Sequence, residues 1–421
     1  MMMKKSLLYI LAILFTANVL SGCRQRGDVY LDPNDDMNML YTTYAKQFDV
    51  IWRGMNTHYV FWSEDQTDWD KVYTTMYPMF ARLDSVYDAD GTVVDSVSFV
   101  KLYAAASAQL IDHHLLWRWK DVHSGKVYDY MPGKAEVAQR DYVYGSKYNR
   151  DSLKAAISNY ENIGLLGGGR WGEMNDHENY FGLLNMENGK RIAYLWQDGF
   201  DMYSTLDAKG TNEKESQYIT NVKRWLEYCT TDSQLGGIIL DNRFNSGGKV
   251  RDLELVIGAF IQEPLHYADL RYKEGAGRYE YSDWYAATVD TCTRFPRRDL
   301  AAENIPYVVL VNANSISLGE ASAQVAKMLP TGYVIGERTF GAHGQLTSLS
   351  TYFHDGTFGK ANGKHYVYTS SMQTRFVGEP LLEGIGITPN KEIIQRDNGL
   401  NAAMAEAVAY IKEKQSAAPT E

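Results

Sequence analysis

Apolar residues fall into two rhythms along this chain. Leu40, Tyr44, Phe48, Ile51, Met55 and Tyr59 recur at steps of three and four, the spacing of one helix face. A second helix is predicted from about Trp69 through Val72, Met76 and Phe80 to Leu83. A third carries Phe99, Leu102, Ala106, Leu110 and His114, and Asp84 to Val97 reads as a loop between them. Residues 37–117 are therefore expected to form a small helical domain. Residues 118–185 fit neither rhythm. Their glycine-dense run at 164–169 (GLLGGG) lacks the strand–helix context of a nucleotide loop and reads as a flexible turn. From Arg191 the pattern changes to short apolar runs: RIAYLW at 191–196, LGGIIL at 235–240, YVVLV at 307–311 and YVIG at 333–336. Helical spacing separates them over Thr211–Leu226, from Val250 through Leu253, Val256 and Phe260, and over Glu320–Leu329. Buried strands alternating with helices predict an α/β fold with a parallel sheet.

Two turns in that region carry candidate chemistry. The strand ending at Val311 leads through a polar turn to Ser317 at the mouth of the next helix. Backbone N–H groups without helical partners, and the positive end of the helix dipole, would stabilise negative charge developing on a substrate oxygen there. A plain N-cap role for Ser315 or Ser317 is the competing interpretation. The strand ending at Leu240 runs into Asn245-Ser246-Gly247-Gly248, at the carboxyl end where α/β proteins place their sites. Paired glycines let amides approach a ligand closely, although an ordinary strand-to-helix turn has the same composition.

Composition narrows the partners. With 42 basic and 52 acidic residues the formal charge is −10, which argues against a nucleic-acid partner. The 31 tyrosines and 9 tryptophans leave peptide or sugar contact open. At the N-terminus, Lys4-Lys5 precedes an apolar run from Leu7 to Val19, and Leu20-Ser21-Gly22-Cys23 follows. That order describes a secretory signal over residues 1–22. The cysteine placement resembles a bacterial lipobox, which implies cleavage before Cys23 and lipid on its thiol. Residues 23–36 then read as a tether from a membrane of the cell envelope, the outer membrane being the expected one. The apolar run is short for a membrane span of about 20 residues. Cys229 and Cys292 remain, either paired or buried and free, and no cysteine or histidine spacing suggests zinc.

Taken together, the two turns resemble a family. A strand ending D-x-R-x-N-x-G-G (Asp241 to Gly248), a strand ending Val311-Asn312, a turn S-x-S-x-x-E (Ser315 to Glu320) and G-E-x-T-x-G (Gly336 to Gly341) are similar to the tail-specific or C-terminal processing peptidases. Their relatives include the tricorn core and retinoid-binding proteins of the same crotonase-like fold. The closing signature appears at Glu383-Gly384-Ile385-Gly386-Ile387-Thr388-Pro389, with Asn390 where Asp is usual. Phe48 to Trp52, Asp68 to Tyr73 and Leu110 to His114 match the helical cap.

The resemblance implies a serine peptidase without metal or cofactor, acting on peptides or unfolded protein segments. Ser317 would be the nucleophile, with an oxyanion hole from the amide of Leu318 and that of Gly247 or Gly248. Processing peptidases place Lys after the Gly that Gly341 matches; here Ala342 stands there. The tricorn branch uses a cap histidine supported by a distant serine and glutamate, which His114 and Glu383 match. His343 is the rival base, and a histidine on an apolar face is more often a core residue than a catalyst. No segment reads as a PDZ domain. The expected layout is a cap over 37–117, an uncertain segment over 118–185, a crotonase-like peptidase domain over 186–395, and a C-terminal helix with a disordered tail over 396–421. The missing Lys leaves a catalytically inactive binding protein of this fold as one alternative. The aromatic content leaves a carbohydrate-associated surface lipoprotein as another.

Overall fold

A computed structural model of the chain describes residues 43–84, 98–121, 125–140, 148–161, 163–172, 177–346, 356–361 and 365–416. The expected signal segment, Cys23, the tether, most of the 84–97 loop and residues 417–421 lie outside the described residues. No helix among the described residues is long and apolar enough to cross a membrane.

The N-terminal helices form where the apolar spacing places them. Helix α1 spans Tyr44–His58 and α2 spans Trp69–Leu83, each started by a side-chain cap, Thr43 on the Lys46 amide and Asp68 on the Lys71 amide. Helix α3 covers Ser98–Ser107 and stops there. Asp112, His113 and His114 are therefore not on its stripe. Asp112 Oδ1 accepts the His114 amide at 2.9 Å, a local turn that competes with helix propagation. Strands β1 (Leu116–Lys120) and β2 (Val127–Tyr130) follow, then the short α4 (Pro132–Val137) and α5 (Arg150–Ser158).

The large sheet begins at β3 (Ile163–Trp171) and β4 (His177–Asn185), an antiparallel pair, so it starts inside the segment expected to be a linker and not at 186. The glycine-dense run is strand, not flexible turn. A Cβ on Gly169 would fall 2.2 Å from the Tyr218 backbone, and glycine lets a helix cross at that range. The chain continues through β5 (Arg191–Gln197), α6 (Glu213–Thr231) and β6 (Leu235–Asp241). The helix expected from Val250 is broken into three short turns, 250–252, 253–256 and 258–260. After β7 (Leu265–Tyr272) and β8 (Tyr285–Val289) come β9 (Tyr307–Val311), α7 (Leu318–Ala326) and β10 (Gly332–Gly336). Strands β11 (Thr357–Ala361), β12 (His365–Tyr368), β13 (Met372–Phe376) and β14 (Lys391–Glu392) precede the last helix, α8 (Ala402–Ser416).

The main sheet has the order β14-β10-β9-β6-β5-β4-β3, parallel from β5 through β14. Every residue of β6 and β9 is buried, because helices cover both faces. Leu195, Leu240 and Val309 meet Val222, Trp225 and Leu226 of α6 on one side. Tyr194, Ile239 and Leu310 meet Leu153 and Ile157 of α5 with Met404 and Ile411 of α8 on the other. A second core joins α1, α2 and α3 to Trp117, Trp119, Phe358 and Val367. Strand β12 pairs with β1, and β11 with β12, in the small sheet β11-β12-β1-β2, so the cap borrows a late hairpin from the peptidase half. Cys229 and Cys292 are buried and free.

Candidate active site

The carboxyl ends of β6 and β9 are tied into one rigid platform. Asp241 receives two bonds from the Arg243 guanidinium, at 2.8 and 2.5 Å, and one from Tyr194 Oη, all wholly buried. Asn242 Nδ2 reaches Ser322 Oγ at 2.8 Å, and Ser315 Oγ donates to the Asn242 carbonyl at 2.7 Å. The Ile316 amide donates to the Asn245 carbonyl at 2.8 Å, closing the two turns on each other. Ser317 stands above this platform with φ 55° and ψ −120°, a backbone state that a side chain rarely adopts and that costs about 1–3 kcal/mol.

Glu320 holds it there. Its buried carboxylate accepts the Ser317 amide at 3.1 Å, the Gly341 amide at 2.7 Å, the Ala342 amide at 2.9 Å and the Thr339 hydroxyl. One side chain thus fixes the serine against the following strand's loop.

The amides near Ser317 divide clearly. Gly247, at φ 91°, donates its N–H to Asn245 Oδ1 at 2.8 Å, so this candidate oxyanion donor is already engaged. Gly248, at φ 146°, sits beside Phe200. The bonds there run from the Phe200 amide to the Gly247 carbonyl and from the Lys249 amide to the Phe200 carbonyl, and neither uses the Gly248 amide. A Cβ on Gly247 would lie 2.6 Å from Ser317 Cβ and 2.9 Å from the Leu318 nitrogen, which puts glycine turn and helix mouth in contact.

A cavity of about 210 Å³ opens at this point, lined by Ser317, Leu318, Gly248, His114 and His343. Val250, Tyr267, Ile316, Ala321 and Leu346 supply apolar walls. The two imidazoles differ in surroundings. His114 Nδ1 faces Ser370 Oγ at 3.4 Å. Burial, with His343 and His113 nearby, lowers its pKa to about 3, so the resting ring is neutral. The His343 side chain is wholly enclosed, edge-on to Phe376, with its Nε2 3.7 Å from Glu320 and no hydrogen-bond partner on either ring nitrogen. Burial lowers its pKa as well.

Glu383 braces loops. Its oxygens accept the amides of His113 at 3.1 Å, His343 at 2.8 Å and Gly344 at 2.7 Å. Burial and the nearby Asp112 carboxylate push its pKa well up, and burial raises Asp112 to about 6. Asp112, His114 and Glu383 bring ligand atoms within 4.8 Å of one another. Every carboxylate oxygen of the pair already accepts a protein hydrogen bond, so this donor set does not favour a cation. Sequence reasoning missed Ser370, which bonds Asp112 twice, through Oγ at 2.9 Å and its amide at 2.7 Å. Ser370 stands in a Thr-Ser-Ser run after β12 that carries no signal of its own in the chain.

Residues 191–393 match peptidase family S41. That segment belongs to the family. It is thereby a serine-type peptidase, and the mixed sheet with helices on both faces is the S41 peptidase fold. Among solved structures, the S41 chain is similar to a protein from Parabacteroides merdae ATCC 43184, described there as a candidate peptidase. The two are 17% identical with a TM-score of 0.59, over 90% of this chain and 99% of that one. It is also similar to mature CPAF complexed with lactacystin, at 11% identity and a TM-score of 0.52, over 90% and 98%. Both likenesses are of fold. No curated protein matches the sequence.

Proposed function

We propose that this S41 peptidase is an endopeptidase that cleaves peptides or unfolded protein segments through an acyl-enzyme on Ser317. The observation that carries it is one cavity shared by a serine at a strained helix mouth and a neutral imidazole with its other nitrogen occupied. Ser317 Oγ attacks the scissile carbonyl, and His114 Nε2 takes its proton. The Leu318 and Gly248 amides receive the oxyanion, two fixed donors whose bonds strengthen as charge develops. The same imidazole returns the proton to the leaving amine, and water releases the acyl group by the reverse route. A resting pKa of about 3 keeps the ring neutral with a free lone pair, and also makes it a weak base at rest. The growing oxyanion then favours the imidazolium. His343 lines the same cavity, but its ring is wholly enclosed and no hydrogen bond orients either nitrogen. Lipid on Cys23, within the LSGC stretch, would hold the enzyme on an envelope membrane.

A fluorophosphonate probe tests the chemistry. The wild type should label, Ser317→Ala should not, and His114→Ala should slow labelling by about 10³-fold or more. Loss of labelling in His343→Gln with His114→Ala unaffected would transfer the base to His343. No labelling of the wild type would leave a binding protein of this fold.

A further inference from the structure

Two polar side chains in the cavity beside Ser317 have no task in the reaction just described. Thr374, on β13, is 3% exposed, and its hydroxyl has no hydrogen-bond partner among the described residues. His343, on the same lining, leaves both ring nitrogens without one. We propose that Thr374 and His343 form a specificity subsite for an uncharged substrate side chain with a hydroxyl or carboxamide tip, on the acyl side of the cleaved bond. That residue's carbonyl is the one Ser317 attacks, so its side chain is the one nearest the cavity. The inference names a substrate class for the reading given above and rests on its assignment of Ser317.

A buried polar atom left unpaired costs stability, and a fold gains nothing by keeping it. A partner that arrives with the substrate recovers the cost on binding, which turns the orphan into discrimination. The Gln345–Met372 bridge is antiparallel, and His343 and Thr374 each lie two residues away from it, on facing segments. Phe376, next along the same face of β13, meets the His343 ring edge-on at 5.4 Å. Glu320 cannot serve that ring. His343 Nε2 stands 3.7 Å from Glu320 Oε1, which already accepts the Thr339 hydroxyl and the Gly341 amide. Tyr267 Oη and Gln345 Nε2 on the same lining face each other at 3.4 Å, so Thr374 and His343 are the unspent pair. A carboxamide or a hydroxyl both donates and accepts, and so can meet a threonine hydroxyl and a neutral imidazole together. Val250, Ile316 and Leu346 give its stem an apolar wall. A charged tip finds no counter-charge. Among the described residues the lining has no Lys, Arg, Asp or Glu, and the nearby Glu320 and Glu383 carboxylates are filled by backbone amides.

The test gives the full chain a proteome-derived peptide library and reads the cleavage sites by mass spectrometry. Internally quenched peptides are then built on the best-cleaved sequence, differing only at the acyl-side residue: Gln against Met, Asn against Leu, Thr against Val. In each near-isosteric pair the polar member should win by about 10-fold or more in kcat/KM, and Lys or Glu there should be cleaved least. Thr374→Val keeps the shape and removes the hydroxyl. It should bring each pair within about three-fold, slowing the polar member and speeding the apolar one. Its midpoint on chemical denaturation should not fall, since no bond within the fold is lost. Thr374→Ser should keep the preference. Equal rates within the wild-type pairs, a preference that survives Thr374→Val, or a lower midpoint for that variant overturns the proposal. A wild type that cleaves nothing removes the peptidase assignment instead. Acetylated tetrapeptide amides carrying Gln or Met at one position then decide the subsite by calorimetric titration. Binding of the Gln peptide tighter by about five-fold or more, lost in Thr374→Val, supports it, and equal affinity or no binding overturns it.

Discussion

The two halves of the site are built by opposite means. The Ser317 half comes from adjacent strand ends, and its turns are locked by bonds within one platform: Asp241 with Arg243, Asn245 with Ile316, Glu320 with Ser317. The imidazole half is assembled from Asp112 to His114 in the cap, Ser370 after β12 and Glu383 near the end of the domain. The first half is a product of the sheet, and its residues hold the fold together. The second is a meeting of distant segments. Damage to one should therefore cost stability first, and damage to the other should cost rate first.

The largest expected break is Arg243→Ala. It leaves Asp241 buried without its cation, a loss of about 3–5 kcal/mol on chemical denaturation. Ser370→Ala, which takes one buried hydroxyl from Asp112, should cost less on the same curve, about 1–3 kcal/mol. A small loss for Arg243→Ala would erase the contrast. Glu320→Gln sharpens it from within, because the new NH₂ must face amide donors. About 1–3 kcal/mol should be lost together with much of the labelling rate, as Ser317 relaxes from its positive φ. Retained rate at reduced stability would show that the strain is not needed.

The smallest effect concerns pH. His114 titrates near 3 in the fold against about 6.5 when unfolded, so the unfolded chain binds more protons between those values. Its stabilising contribution is complete above about 6.5 and is lost as pH falls towards 3, with a slope of at most about 1.4 kcal/mol per pH unit. Asp112 runs the other way. Raised to about 6 from about 3.8, it favours the fold below 3.8 and loses that contribution as pH rises through 6. Over roughly pH 4–6 the two oppose each other. Denaturation midpoints of His114→Gln should therefore rise less with pH than those of the wild type over that range. Parallel curves would mean that the ring is not held neutral by its burial.

The reading from sequence followed this division. Strands β5, β6, β9 and β10, helix α7 and the serine turn were legible because strand period, helix period and turn residues are local properties of the chain. Asn390, an apparent departure from the family, supplies the acceptor that the Val334 amide needs at 2.8 Å, and an amide oxygen serves as well as a carboxylate. The missed features were those in which a residue type takes its meaning from a distant neighbour. The glycines at 164–169 signal flexibility until α6 is seen to cross them. His114 fits a helix stripe until the helix is seen to end at Ser107, well short of it.

By itself the sequence determined the parallel α/β core, the helical cap and a serine at a helix mouth, since periodicity and turn chemistry are written residue by residue. Only the tertiary structure decided which carboxylates brace loops, which amides are already bonded, and which side chain stands behind the imidazole. Those depend on where hydrogen-bond donors and acceptors end up after packing, and in this chain Ser370 and His114 lie 256 residues apart.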